Sequence, residues 1–168
     1  GRALRAWGGA PGASGASAGA PVGSGAGSGC GGASGSGGAV DRAGGRAVAV
    51  CGDVADAAAV DAAFRDIESS FGPVTVRVNN AGITQILPIA LLEEADFDAV
   101  MAVNVKGPYL TSRAVLRSMI RARAGHILNI GSFASERVIE APVPYPAAQS
   151  ELRGLPDALA REAGRYNI

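Results

Sequence analysis

From residue 46 onward, hydrophobic and polar positions fall into short periodic blocks. Arg46–Cys51 (RAVAVC) is an apolar run ended by Gly52 and Asp53, and it reads as a buried strand. Asp56 suits an N-cap. Val60, Phe64, Ile67 and Phe71 follow at spacings of 4, 3 and 4, one apolar helical face. Gly72 and Pro73 stop that helix. Val74–Val78 predicts the next strand, which runs into Asn79-Asn80-Ala81-Gly82. Residues 93–104 predict a helix with Phe97, Val100, Met101 and Asn104 on one face. Pro108 opens another helix, since a first-turn N–H has no helical partner to lose. Its stripe is Val115, Leu116, Met119 and Ile120, and it ends near Gly125. Ile127–Ile130 predicts a strand ending at Gly131-Ser132, and residues 147–163 predict a last helix. Strands alternating with helices of this length indicate a parallel α/β sheet.

Three residues break the pattern. Arg77 lies within a strand that should be apolar if both faces are buried. Pro146 biases Tyr145 away from helical geometry. Pro156, inside the last helix, is expected to cost about 3 kcal/mol or to kink it.

Residues 1–45 have no such period. They hold 17 of the 25 glycines, mixed with Ala and Ser. This composition buries too little apolar surface to offset chain entropy, so a disordered low-complexity segment is expected. Gly27-Ser28-Gly29-Cys30-Gly31-Gly32 matches a phosphate-loop pattern, but at this glycine density such matches arise by chance. None follows a strand or opens a helix, as phosphate cradling requires.

A net charge of zero gives no reason to expect a nucleic-acid partner. Cys30 and Cys51 have no metal spacing, and nothing in the sequence argues for a disulfide. No apolar run approaches the roughly 18 residues of a membrane span. No secretory signal is recognisable, so a cytoplasmic setting is expected.

In parallel sheets ligands sit beyond the strand C-termini. Asp53 and Asn80-Ala81-Gly82 fall there. Asp53 reads equally as a loop or cap carboxylate, and the asparagine pair as a turn. Asn104 reads as a satisfied buried amide or as a site residue. His126, the only histidine, reads as a strand-start surface residue. Ser132 ends the strand 127–130, and Tyr145 follows 13 positions later. A hydroxyl and a phenol so placed can meet over one substrate, the phenol as general acid if a neighbour tunes its proton affinity. That neighbour should lie one turn on, and the residue there is Gln149, which is neutral.

Taken together, Asn79-Asn80-Ala81-Gly82, then MAVNVKG (101–107), GHILNIGS (125–132) and Tyr145 resemble the short-chain dehydrogenase/reductase family over residues 46–168. The nearest type is the 3-oxoacyl-acyl-carrier-protein reductases and polyketide ketoreductases. The resemblance implies a Rossmann-like doubly wound parallel sheet. It is incomplete here, because the first two strands are not recognisable and the last strands and substrate lid are missing. It implies interconversion of a carbonyl and a secondary alcohol with NADP or NAD, NADP being favoured. The substrate would be a small molecule, free or carried on an acyl carrier. In the family two helices, here those of residues 108–125 and after Tyr145, build homo-oligomer contacts. The catalytic positions would be Asn104, which helps hold a relay water, Ser132, Tyr145, and Gln149 where the family has lysine. The cofactor would meet Gly8, Gly12, Asp53, Val54, Asn80, Ala81, Gly82, Tyr145 and Gln149.

Gln149 can hydrogen-bond a ribose but lacks the lysine charge that lowers the tyrosine's proton affinity, so impaired turnover is expected. A non-catalytic relative or fragment that at most binds nucleotide or a family partner is the alternative. An interaction protein working through its Gly/Ala/Ser arm is a third reading, supported by composition only. The family's glycine-rich turn should fall near residues 7–14, where Gly8 and Gly12 match but the threonine and last glycine do not. A shifted reading frame over the first βαβ unit accounts for correct length with wrong chemistry. Sequencing of the coding DNA should then show an alternative forward frame over codons 1–45 that encodes strand, TGxxxGxG and helix. If neither frame does, the idea fails.

Overall fold

The computed structural model describes residues 3–4, 45–137 and 141–168. Its strands form two separate pairs. β1 (Ala3–Leu4) lies antiparallel to β2 (Val50–Cys51), with Ala3 opposite Cys51. β3 (Val76–Asn79) and β4 (His126–Asn129) run parallel, with Asn79 opposite Asn129. The run 46–51 therefore departs from expectation. Only its last two residues are paired, the pairing is antiparallel, and Val48 is 43% exposed. An apolar run becomes a buried strand only with neighbours on both sides, and among the described residues β2 has one. Cys51 is disulfide-bonded, a bridge that nothing in the sequence argues for.

Asp56 caps α1 (Ala57–Phe71) as expected, its carboxylate accepting from the Ala58 and Ala59 N–H groups at 2.8 and 3.2 Å. Gly72, with φ of 81°, ends the helix in a conformation costly for any residue with a Cβ. Val60, Phe64 and Ile67 are buried on the predicted face. They pack with Val54, Val103, Leu110, Val115 and Met119 into one core.

The two middle helices are one continuous rod. α2 (Glu94–Met101) passes through a π-turn (Ala102–Lys106) into α3 (Gly107–Ala122). The expected break before Pro108 is absent. A proline clashes with the carbonyl four residues back, here Asn104, and has no N–H to offer it. The wider π-turn, in which the Gly107 N–H reaches back to the Ala102 carbonyl, relieves that clash without a break.

α4 (Pro144–Ala163) begins earlier than expected, and Tyr145 is helical in spite of Pro146. Pro146 falls in the first turn, where a missing N–H removes no helical bond. The helix also continues through Pro156.

Alternation along β3 puts Arg77 and Asn79 on the helix-covered face and leaves Val76 and Val78 about 40% exposed. Arg77 is 6% exposed, with its guanidinium 5.5 Å from the centre of the Phe64 ring. Desolvation pushes its pKa down from the ordinary guanidinium range to about 10. The folded state thus disfavours the charge. That penalty is complete below pH about 10 and fades as pH rises toward the ordinary guanidinium range. At neutral pH it amounts to roughly 3 kcal/mol, from about 1.4 kcal/mol per unit. Arg77→Leu should therefore raise the unfolding free energy by about 1–3 kcal/mol in urea titration at pH 7. A variant less stable than the parent would show that Arg77's contacts outweigh its desolvation.

Candidate active site

β3 and β4 end side by side. The Ile130 N–H donates to the Asn79 carbonyl at 2.9 Å, so the loops leaving both strands start from one point. A buried polar cluster fixes that point. Asn79 Nδ2 donates to Asn129 Oδ1 at 2.9 Å and to Ser112 Oγ at 3.2 Å, and the Thr111 hydroxyl donates to Asn79 Oδ1 at 2.6 Å. Asn79, Thr111 and Ser112 are each at most 4% exposed. The sequence marks Asn79 only as part of a turn motif and does not single out Thr111, Ser112 or Asn129, because the partners lie 32 to 50 positions apart. The signal available was a polar residue on the buried face of each strand.

Asn80, Ala81 and Gly82 are exposed beyond β3, as a ligand-facing loop requires. Asn104, 2% exposed, holds the end of this loop. Its Oδ1 accepts from the Ile83 N–H and its Nδ2 donates to the Ile83 carbonyl, both at 2.8 Å. The π-turn carries Asn104 to that position. Its side chain is thus committed to the loop, which favours the satisfied-amide reading of this residue. Gln85 Nε2 bonds Asp96 Oδ1 and ties the same loop to α2.

Asp53 is exposed, and its carboxylate accepts from the Ala55 N–H at 2.9 Å, an Asx turn. Val54 is 2% exposed and packs on Gly107, where an added Cβ would lie 3.0 Å from Val54 Cγ2. Val54, Arg77, Asn79, Ala81, Gly107, Pro108 and Thr111 line a small crevice of about 10 Å³. Gly8 and Gly12 lie outside the described residues.

Ser132 is half-buried, and its Oγ accepts from the Ala134 N–H at 3.2 Å, capping the short turn Phe133–Ser135. The hydroxyl proton is left free to donate. Tyr145, half-buried, occupies the first turn of α4. Gln149, 6% exposed, lies on the same helix one turn on. Its Oε1 lies 4.0 Å from where a Cβ on Gly131 would be, directly against the strand end that presents Ser132. That oxygen is buried and accepts no hydrogen bond. The structure thus brings Gln149 to the loop of Ser132, and Asn80-Ala81-Gly82 and Asn104 to the neighbouring strand end.

A family model described as short chain dehydrogenase matches residues 36–168. The chain belongs to the short-chain dehydrogenase family. Its fold is an incomplete Rossmann-like α/β layer. Among relatives of this family, it is 34% identical over 128 residues to a 2-dehydro-3-deoxy-D-gluconate 5-dehydrogenase of Formosa agariphila, covering 76% of this chain and 48% of that protein. It is 38% identical over 125 residues to an inactive 2-(S)-hydroxypropyl-CoM dehydrogenase 2 of Xanthobacter autotrophicus, covering 74% and 54%. A gluconate 5-dehydrogenase from Burkholderia cenocepacia, solved in complex with NADP and tartrate, superposes with a TM-score of 0.72 at 34% identity, covering 79% and 53%. The chain thus spans about half the length of the short-chain dehydrogenases it matches.

Asn104→Ala should leave the Ile83 N–H and carbonyl without side-chain partners. The expected loss is about 1–3 kcal/mol, with faster hydrogen exchange at the Ile83 amide. Unchanged exchange there would remove Asn104 from its role in holding the loop.

Proposed function

We propose that this chain carries the catalytic half of an NAD(P)-dependent oxidoreductase that interconverts a carbonyl and a secondary alcohol, with turnover lowered by Gln149. The observation that supports it is the convergence of Ser132 and Gln149 at the end of β4, with Tyr145 one turn before Gln149. The Ser132 proton, left free by the bond from Ala134, orients the substrate oxygen. Tyr145 gives that oxygen its proton in reduction and takes it back in oxidation. A bound nicotinamide would supply or accept the hydride. Asp53, Val54 and Ala81 are assigned to one end of a dinucleotide: Val54 and Ala81 line the crevice, and the carboxylate of Asp53, next to Val54 in the chain, is exposed. Tyr145 and Gln149 fit the other end. NADP is favoured over NAD, because the Burkholderia structure holds NADP. A cytoplasmic setting and homo-oligomer contacts through α3 and α4 belong to the same reading.

Gln149 leaves the phenol without a cation to favour its ionised form. This supports a second reading, a relative that binds nucleotide and does not turn over. The Xanthobacter relative is named inactive, which is consistent with a member that does not turn over.

Fluorescence titration with NADPH should show saturable binding. Steady-state NADPH oxidation with a β-ketoacyl thioester and with 5-keto-gluconate should then be slow. Gln149→Lys should raise kcat by about 10²-fold, within the range of acid–base contributions. Equal rates for the chain and this variant, both folded and active, would refute the assignment of low turnover to Gln149.

A further inference from the structure

Cys51 ends β2, is exposed, and is disulfide-bonded. The sequence holds one other cysteine, Cys30, so a bridge within one chain has a single partner. Cys30 itself lies outside the described residues. The bridge sits directly before Gly52, Asp53 and Val54. Asp53 builds the turn there, its carboxylate accepting from the Ala55 N–H at 2.9 Å and its carbonyl from the Asp56 N–H at 3.1 Å. Val54, 2% exposed, carries the turn into the core against Gly107.

Few contacts hold the chain on the other side of this turn. Residues 45–49 are exposed and belong to no helix or strand. β2 is two residues long and, among the described residues, has β1 as its one neighbour. Val50 is half-buried against the core, and the Arg46 guanidinium lies 4.9 Å from the centre of the Phe71 ring. A segment with so little buried surface and so short a ladder opens readily. A cross-link at Cys51 opposes that opening by limiting the conformations of the open chain.

We propose that the Cys51 disulfide is a thiol-exchange site that sets the order of the Asp53–Val54 turn, with a low-molecular-weight thiol as its co-reactant. Exposed disulfides are the labile ones. An incoming thiolate attacks one bridge sulfur. A new S–S bond forms to it as the old one breaks, and the displaced cysteine sulfur leaves as a thiolate and takes a proton. A second external thiol then displaces the first from the mixed disulfide. Two external thiols are thereby oxidised to one disulfide, and two electrons and two protons pass to Cys51 and Cys30. The consequence for nucleotide rests on the assignment of Asp53 and Val54 to the dinucleotide: the oxidised chain presents an ordered turn, and the reduced chain a looser one.

The test adds dithiothreitol to the folded full chain. Mass spectrometry after alkylation should count no free thiol before reduction and two after it, with no cross-linked dimer on a denaturing, non-reducing gel. Hydrogen exchange at the Ala55 and Asp56 amides should be about tenfold faster in the reduced chain, while the Ile83 amide, held by Asn104, should be unchanged. NADPH, followed by fluorescence, should bind roughly five- to tenfold more weakly after reduction. Cys51→Ser and Cys30→Ser should match the reduced parent with or without dithiothreitol, and the parent alone carries the test if either variant does not fold. Two free thiols before reduction, a cross-linked dimer, or exchange at Ala55 and Asp56 that reduction leaves unchanged would overturn the proposal. Equal acceleration at Ile83 would overturn it too, as a general loosening. NADPH binding in neither state, or with equal affinity in both while exchange differs, would overturn the placing of the dinucleotide, and the exchange rates would still decide the switch.

Discussion

The hydrogen bond from Asn79 to Asn129 is the constraint on which the rest of the site depends. Parallel strands are not held in register by a tight hairpin, so something else must align their ends. Here one buried amide does it. Asn79 spends both N–H bonds, on Asn129 and Ser112, and its oxygen takes the Thr111 proton. Helix α3 is thereby fixed to the sheet at the level where both loops depart. Such a network is stable only when its buried members are satisfied, and every polar atom of the Asn79 side chain has a partner.

How much of this was legible in the sequence depends on the range of each interaction. α1 and its cap were fully legible, since the cap and the apolar face are set by residues within a few positions. Ser132, Tyr145 and Gln149 were placed by spacing along a strand, a loop and one helical turn. The Asn79 cluster was not legible, because no local pattern says that an amide at position 79 meets a hydroxyl at 111. The run 46–51 misled for the same reason. Its composition is that of a central strand, but whether it is central depends on neighbours far away in the sequence. Pro146 misled in the opposite direction, because the effect of a proline depends on which helical turn receives it.

Ser132 is oriented by a bond that spares its proton, and the strand ends stay locked together. One turn after Tyr145 stands the Gln149 amide, whose oxygen is buried without a donor among the described residues. Burying an unmatched acceptor costs stability, so packing alone gives no reason for glutamine there. Gln149 thus fills the space against Gly131 and brings no charge there.

The π-turn at Ala102–Lys106 carries a consequence for sequence variation. A π-turn is an α-helix with one residue inserted. Losing a single residue there would restore an unbroken α-helical ladder and swing everything upstream by about 100° relative to α3. Asn104 would turn away from Ile83, and Pro108 would press on the carbonyl four residues behind it. Substitutions across this stretch can be absorbed one at a time, but its length cannot change. In this chain the number of residues between Met101 and Gly107 is as much a part of the site as the side chains that face it.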